Sequence, residues 1–321
     1  MFAIRSKRDR NSAELAAEVM SYLKDLGQAH TTGTDADMVI AVGDDALILE
    51  TFRDTKDTPV LGIAVSSSFL AEANRFNYQD CLRSIARGEY EIVEKTRIAA
   101  EISGEKTPPA LNDIGVFPLQ TASLIRYSLH IDGKFFWKDT ADGLFVSTPT
   151  GSTGHSLSSG GPIIVNEPRV LSLIPILTMD RTHTPLVIPD SAAIEVSDIQ
   201  SKTTVLLIID GEVRIPLTGN RVVIRTYEHS ARFVKLSDEP IETKLRKRTV
   251  RVDSKIKLLS PSAKLIYTIL TQHKELTQKE ITSESYLPAR TVRHALGILL
   301  KLGAVKKRPY LQDARQAVYS V

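Results

Sequence analysis

One segment near the middle of this 321-residue chain, residues 142–162, restricts the fold more than any other part of the sequence. After Val146 it reads Ser-Thr-Pro-Thr-Gly-Ser-Thr-Gly-His-Ser-Leu-Ser-Ser-Gly-Gly-Pro. Such a segment cannot form a core, but it supplies hydroxyls, backbone N–H groups and the tight turns that only glycine permits. Because strand-like apolar residues, 144–146 and 163–165, flank it, we interpret it as a loop whose backbone approaches a polar ligand, typically a nucleotide. A Ser/Gly-rich surface loop is the alternative.

Composition indicates a folded chain without a membrane segment. With 42% hydrophobic residues the chain can form two or three cores, and no run approaches the ~20 apolar residues of a membrane span. The single cysteine, Cys81, excludes an internal disulfide and fits a reducing compartment. The N-terminal residues lack the apolar region of a signal peptide, so we expect a cytoplasmic protein.

The net charge of +3 conceals an uneven distribution. Residues 1–243 carry 24 Lys and Arg against 33 Asp and Glu, whereas residues 244–321 carry 17 against 5. A basic module attached to an acidic body is typical of a chain in which one part binds a polyanion. The basic residues 244–251 mark the junction, and a solvated basic face remains the alternative reading.

The basic module has the pattern of three helices followed by two strands. Pro261 opens a helix with an apolar stripe, and Thr277 with Glu280 forms the capping box of a second helix, residues 278–284. A third helix begins at Ala289 and ends before Gly303. Two strands, residues 305–308 and 317–319, then pair around a turn.

These elements resemble a winged helix-turn-helix. In that family the third helix enters the major groove and the wing contacts the phosphate backbone, so the resemblance implies double-stranded DNA as a partner. The residues that it implies on DNA are Arg290, Thr291, Arg293, His294, Lys306, Lys307 and Arg308. A structural or dimerising module is the alternative.

The first half of the chain alternates strands and helices. Apolar residues 36–42 are typical of a buried parallel strand, and the turn after them begins with Gly43. In open α/β sheets ligands bind at such carboxyl ends. From about residue 90 short strands separated by turns predominate. We therefore predict an α/β domain over residues 1–95, a mostly-β domain over 96–248 and the winged helix over 249–321.

Four segments in the right order resemble the NAD kinase family over about residues 1–248. Residues 148–156 with the Gly-Gly-Pro at 160–162 match its most distinctive signature, and residues 37–47 match the strand and turn that end in Gly-Gly-Asp-Gly-Thr. Asn112-Asp113 matches an Asn-Glu pair, and Asp210-Gly-Glu resembles an Asp-Gly-Gln turn.

The resemblance implies phosphoryl transfer to the 2′-hydroxyl of the adenosine ribose of NAD, which forms NADP. A carboxylate must take the hydroxyl proton, and Asp45 occupies the position of the family's catalytic aspartate. Gly43 and Asp44 are implied on the donor-phosphate side. The residues implied at the dinucleotide are Asn112, Asp113, Asp142, Thr153, Gly154, His155, Ser158 and Asp210. NAD or NADP is the implied ligand, with Mg²⁺ and ATP or polyphosphate for an active enzyme, and a homo-oligomer, at least a dimer, is expected.

The turn departs from the family pattern where phosphates would bind. Asp44 and Ala46 replace glycines, Leu47 replaces the threonine, and His155 replaces a tyrosine. At ~4 Å and an effective dielectric of ~20, two like unit charges repel by ~4 kcal/mol, so Asp44 opposes phosphate unless it ligates Mg²⁺. We favour a kinase. The alternatives are a catalytically inactive NAD(P)-sensing transcriptional regulator and, among enzymes, a lipid or sugar kinase.

Overall fold

The computed structural model of the chain describes residues 1–31, 36–66, 68–236, 260–272, 276–285, 287–301, 305–309 and 317–320. It divides into two compact units, Met1–Asp238 and Glu239–Val321. The basic residues 244–251 and Gly303, predicted as a junction and a helix end, lie outside the described residues. Within the described part of the chain, no helix has the length and apolar character that a membrane span requires.

The first unit begins with a mainly parallel sheet. Its strand order is β2-β1-β3-β4-β19-β6, and β5 pairs with the C-terminal end of β4. Strand β19 is parallel to β4, and β6 is antiparallel to β19. The strands are β1 Phe2–Ser6, β2 His30–Thr31, β3 Met38–Gly43, β4 Val60–Ala64, β5 Ala73–Asn74, β6 Glu91–Lys95 and β19 Ala231–Lys235. The sequence places residues 231–235 in the β-rich half, whereas β19 returns to complete the first sheet.

Helices cover both faces of this sheet because each carries an apolar stripe. Helices α1 (Arg10–Asp25) and α3 (Tyr78–Ala86) contribute Leu15, Val19 and Leu82 to one core. Helix α2 (Asp45–Asp54) contributes Ile48 and Phe52 to a second core on the other face. Helix α2 follows β3 directly, so its first turn lies at the carboxyl end of a parallel strand, as the sequence predicts.

Two six-stranded antiparallel sheets enclose the largest core of the first unit. One has the order β11-β10-β15-β18-β7-β8 and the other β14-β13-β12-β9-β16-β17. The strands of the first are β7 Ile98–Ile102, β8 Glu105–Lys106, β10 Ile125–Ile131, β11 Lys134–Ala141, β15 Ile194–Ser201 and β18 Val222–Thr226. Those of the second are β9 Asp113–Pro118, β12 Gly143–Ser147, β13 Val170–Ile176, β14 Leu186–Pro189, β16 Val205–Ile209 and β17 Val213–Pro216.

Two predicted strand segments fold differently. Residues 91–102 form two strands in different sheets, β6 and β7, separated at the buried Arg97. The Arg97 guanidinium donates to five backbone carbonyls, those of Phe52, Thr55, Lys56, His229 and Ser230. The apolar residues 163–165 form no strand, and Ile163 and Val165 are exposed.

The second unit has three helices and a small antiparallel sheet of order β20-β22-β21. The reciprocal hydrogen bonds of Thr277 and Glu280 confirm the predicted capping box. Its core contains Ile266, Ile281 and Leu296. The elements are α5 Pro261–Gln272, β20 Leu276–Thr277, α6 Gln278–Ser285, α7 Ala289–Lys301, β21 Lys306–Pro309 and β22 Ala317–Ser320.

Candidate active site

The first part of the site lies where β1 and β3 end. These strands are parallel neighbours with Ser6 opposite Val42, so Lys7 and Asp44 follow them at the same sheet edge. Asp44 caps α2: one carboxylate oxygen accepts a hydrogen bond from Leu47 N at 3.2 Å, and the other is paired with the Lys7 ammonium. Burial opposes ionisation, but the hydrogen bonds from Lys7 and Leu47 outweigh it and lower the pKa of Asp44. This carboxylate is ionised and already has a cation as partner.

Asp45, the predicted base, is held by residues 68–70. Its Oδ1 accepts hydrogen bonds from the Ser68 hydroxyl and from Leu70 N, and its Oδ2 accepts one from Phe69 N at 3.0 Å. A carboxylate offers about four acceptor positions, so Oδ2 keeps room for a further donor. These contacts fix the orientation of Asp45 and leave an oxygen that can accept a hydroxyl proton.

Leu47, which stands where the resembled family has threonine, faces the core. It is 8% exposed and packs with Ile48 and Phe52 on the inner side of α2. Leu111, from the segment before β9, belongs to the same core. Helix α2 therefore packs directly beside the Asn112-Asp113 turn, which brings the two predicted halves of the site together.

The Asn112-Asp113 turn is organised by the buried Asp210. Asp210 Oδ1 accepts the backbone N–H of Asn112 at 2.7 Å, and Oδ2 accepts that of Leu111 at 3.3 Å. Burial raises the pKa of Asp210 to about 6, and the negative charge of Asp113 adds to the shift. Asp210, predicted at the dinucleotide, thus uses its carboxylate to position the turn.

The hydroxyls of the signature loop point inward, which differs from the expectation that they line a ligand site. Thr148 Oγ1 donates to the Leu111 carbonyl at 2.6 Å, and Ser152 Oγ donates to the Pro149 carbonyl at 2.7 Å. Thr148 N also donates to the Asn112 carbonyl at 2.9 Å. A Cβ on Gly151 would lie 2.5 Å from the Asn112 carbonyl carbon, so only glycine fits there. The reason is that buried backbone groups of an irregular loop need partners, and these hydroxyls supply them.

His155 is the exposed side chain of this loop that faces the turn. Its side chain is 55% exposed, its ring lies parallel to Phe145 at 5.7 Å, and its Nδ1 lies 3.4 Å from Asp113. The hydrogen bond with Asp113 raises the pKa of His155, against a smaller effect of burial. A Cβ on Gly211, whose φ is +74°, would lie 2.6 Å from the ring, so the Asp210-Gly211 turn closes under it.

Oδ2 of Asp113 has no hydrogen-bond donor in this cradle and lies 3.4 Å from His155 Nδ1. The residue is 1% exposed, and its Oδ2 accepts no hydrogen bond from any described residue. A buried carboxylate oxygen without a donor is costly, and a ligand hydroxyl or amine would satisfy it. The cradle of Asp113, His155 and Phe145 therefore fits a polar ligand that also presents a flat ring.

Arg53 connects the two parts of the site. It lies in the last turn of α2, its side chain is 8% exposed, and it pairs with Asp210 at 3.4 Å and with Glu212. The helix that begins with Asp45 is thereby tied to the turn that supports Asn112 and His155.

The other predicted dinucleotide residues are dispersed. Thr153 is buried and ends the 3₁₀ turn Thr150–Thr153, and Gly154 links that turn to helix α4 (His155–Ser158). Ser158 ends the helix as an exposed residue. Asp142 lies at the opposite end of β12 from the loop, and its backbone N–H donates to the Ile176 carbonyl. Among the described residues, no hydrogen bond or ion pair joins its side chain to the other predicted residues.

The described residues do not form a metal cage. No group of three His, Cys, Asp or Glu side chains in the described ranges is placed to hold an ion. Asp44, considered above as an Mg²⁺ ligand, is already engaged by Lys7 and by Leu47 N, and Asp45 is engaged by residues 68–70. A protein-held Mg²⁺ at Asp44 therefore does not fit this arrangement.

In the second unit the predicted DNA-contacting residues lie on α7 and β21. Arg290, Arg293 and His294 are exposed, and Thr291 is half-buried, at the start of α7. Lys306, Lys307 and Arg308 are exposed on β21.

Sequence patterns missed three residues of the site: Lys7, Arg53 and Ser68. The resembled family has Gly-Phe-Leu where this chain has Ser68-Phe-Leu, so the sequence shows Ser68 only as a departure from that pattern. In the structure the Ser68 hydroxyl donates a hydrogen bond to Asp45. Lys7 and Arg53 belong to no motif. Lys7 lies one residue beyond β1, and Arg53 lies in the last turn of α2.

Comparisons with known proteins agree with this geometry. Residues 111–236 match the family model described as the ATP-NAD kinase C-terminal domain. A protein of Pyrococcus abyssi named NAD kinase is 32% identical over 265 residues, which are 74% of this chain and 95% of that protein. One of Methanothermobacter thermautotrophicus, also named NAD kinase, is 30% identical over 69% of this chain and 79% of its own length.

Solved structures share the fold of the first unit. Yeast NADH kinase in complex with NADH superposes with a TM-score of 0.69 at 20% identity, covering 81% of this chain and 89% of that one. An NAD kinase from Archaeoglobus fulgidus in complex with ATP has a TM-score of 0.66 at 24% identity, covering 78% and 98%. The α/β part with a mostly-β second part is therefore the fold of these proteins.

Proposed function

We propose that this chain, which belongs to the NAD kinase family of phosphotransferases, transfers a phosphoryl group from ATP or polyphosphate to the 2′-hydroxyl of the adenosine ribose of NAD and so forms NADP. The observation that carries the proposal is the cradle in which the buried Asp113 Oδ2, which has no hydrogen-bond donor, lies 3.4 Å from Nδ1 of the His155 ring. This chain aligns with most of the length of relatives named NAD kinase, and similar solved structures contain NADH or ATP.

The dinucleotide is bound by the cradle around the Asn112-Asp113 turn. Asp113 Oδ2 accepts a hydrogen bond from a ligand hydroxyl or amine, which supplies the donor that this buried oxygen lacks. The free face of His155 stacks on a flat ring of the ligand. Asp210 keeps the turn in place through the backbone N–H groups of Leu111 and Asn112.

Asp45 serves as the general base. Its Oδ2 holds a single hydrogen bond from Phe69 N, so it accepts the 2′-hydroxyl proton as the hydroxyl oxygen attacks the terminal phosphorus of the donor. The bridging P–O bond of the donor breaks in the same transfer, and ADP or the shortened polyphosphate leaves with its electron pair. The contacts from residues 68–70 supply orientation, on which phosphoryl transfer depends more than on covalent chemistry.

The decisive experiment compares the wild-type protein with Asp45→Asn. Purified protein with NAD, MgCl₂ and either ATP or polyphosphate should form NADP, detected with an NADP-specific dehydrogenase. Because general-base catalysis contributes typically ~10²–10⁴-fold, Asp45→Asn should lose at least ~10²-fold in kcat, while calorimetry shows NAD binding retained. Asp54→Asn, at the exposed other end of α2, is the matched control and should keep full activity. NAD binding without turnover on any donor would instead favour the inactive sensor.

The second unit supports a winged helix-turn-helix that binds double-stranded DNA. Three helices precede a two-stranded ribbon, and the exposed Arg290, Arg293 and His294 share the first turns of α7. Arg290→Ala and Arg293→Ala should each weaken DNA binding and reduce its salt dependence, because each removes a cation from the interface. Glu284→Gln, on the neighbouring helix, is the control. A full-length protein that ignores DNA at low salt would leave a protein-contact module, and the expected homo-oligomer stays a prediction.

A further inference from the structure

We propose that Lys7 is the cation that allows the Asp44 turn to accept the phosphates of the donor nucleotide, an inference that rests on the kinase function proposed above. The motif of this turn contains no residue from the segment that follows β1, where Lys7 lies. The assignment comes from the ion pair between the two strand ends.

The position of Lys7 suits a phosphate ligand. It follows β1 at the carboxyl edge of the parallel sheet, beside the turn from β3 into α2, where ligands of such sheets bind. Its side chain is 50% exposed and that of Asp44 is 36% exposed, so both are accessible from solvent. An ammonium has three donors, and a pairing with Asp44 uses one, which leaves donors for phosphate oxygens.

The ion pair also compensates the negative charge that Asp44 adds to this turn. Where the family pattern has an uncharged glycine, this chain has a carboxylate that repels phosphate. With Lys7 attached, the charge that Asp44 adds is compensated, so an anion near the start of α2 no longer meets an unpaired carboxylate at residue 44. The other acidic groups acting on Lys7 are Asp9 and Glu212, and Glu212 is itself paired with Arg53.

Arg5 supplies a matched control. It lies two residues before Lys7 on β1 and pairs at 2.6 Å with Asp54, which ends the same helix whose first turn Asp44 caps. Both pairs join the same strand region to the same helix and are exposed to solvent. They differ in the end of α2 that they reach, so only the Lys7 pair lies beside the proposed donor site.

The test measures ATP binding and turnover in four variants: Lys7→Met, Asp44→Gly, the double variant and Arg5→Met. Lys7→Met should weaken ATP binding in calorimetry by about tenfold or more, as expected for the loss of a charged hydrogen bond, and raise the KM for ATP similarly. The KM for NAD should stay within about twofold, and Arg5→Met should behave as wild type. Adding Asp44→Gly to Lys7→Met should recover most of the lost ATP affinity, since the uncompensated carboxylate is gone.

The outcomes separate this inference from the proposed function. If Lys7→Met binds ATP as tightly as wild type, or if the wild type does not bind ATP, the assignment of Lys7 is wrong even where NADP is formed. If Lys7→Met loses ATP affinity and Asp44→Gly restores it, the assignment holds even where the wild type forms no NADP. A loss that Asp44→Gly does not recover would also overturn it, because Lys7 would then act independently of the carboxylate.

Discussion

Replacing Gly151 by alanine should disrupt the proposed dinucleotide site from a buried position in the signature loop. A Cβ at residue 151 would lie 2.5 Å from the Asn112 carbonyl carbon and 2.7 Å from Asn112 Cα. Ordinary carbon contacts are about 3.5–4.0 Å, so the Asn112 backbone must move by about 1 Å. That movement weakens the hydrogen bond from Thr148 N and shifts Asp113, whose Oδ2 has no hydrogen-bond donor. Since a misplacement of about 1 Å can reduce a rate about 10²-fold, we expect a loss of that size in kcat/KM for NAD.

The assay separates displacement from general destabilisation. Overpacking costs about 1–3 kcal/mol, so the Gly151→Ala melting temperature should fall by several degrees. Gly133→Ala is the control: Gly133 has φ +74° with no atom within 4 Å of its Cβ position, so alanine there costs about 1–2 kcal/mol of backbone strain away from the site. It should lower the melting temperature comparably and leave kcat/KM and NAD affinity unchanged. A Gly151→Ala protein with both parameters within about threefold of wild type would refute the reasoning.

Three further predictions concern buried or paired charges. Arg97→Leu should lower stability by about 3–5 kcal/mol, because five backbone carbonyls lose their donor; thermal melts within 2 °C of wild type would contradict this. Because Asp113 raises the pKa of His155, their pair stabilises the fold below about pH 6.5 and is lost as the pH rises through the raised pKa. His155→Phe should therefore lower the melting temperature more at pH 6 than at pH 9, and an equal effect at both would count against the pair. Burial raises the pKa of Asp210 to about 6, so stability should fall by about 2 kcal/mol as the pH rises from 4 to 6. Urea titrations of Asp210→Asn should lack that slope.

The sequence predicts the elements whose signals are local. The apolar strand before Gly43 and the capping box of Thr277 and Glu280 are patterns of neighbouring residues, and the structure contains both. In each case the chemistry that stabilises the feature lies within a few residues of the chain.

What the sequence does not predict depends on contacts between distant segments. Residues 231–235 lie within the predicted β-rich domain, and nothing local indicates that they pair with Val60 in the first sheet. The inward direction of the Thr148 and Ser152 hydroxyls follows from the backbone groups left unpaired by the irregular loop. The loop's composition indicates ligand contacts, but a sequence does not distinguish a hydroxyl that bonds to its own loop from one that binds a ligand.

Departures from a family motif have to be judged together with the residues that the fold places beside them. Asp44 adds a carboxylate at one turn of the site and Glu212 adds one at another, and each is paired with a cation, Lys7 and Arg53. Both cations lie far from their partners in the chain. A position-by-position comparison with the motif therefore shows two unfavourable substitutions and neither compensating cation. In the folded chain each added negative charge meets a positive one, so neither carboxylate is left uncompensated. The motif therefore understates how much of the site this chain retains.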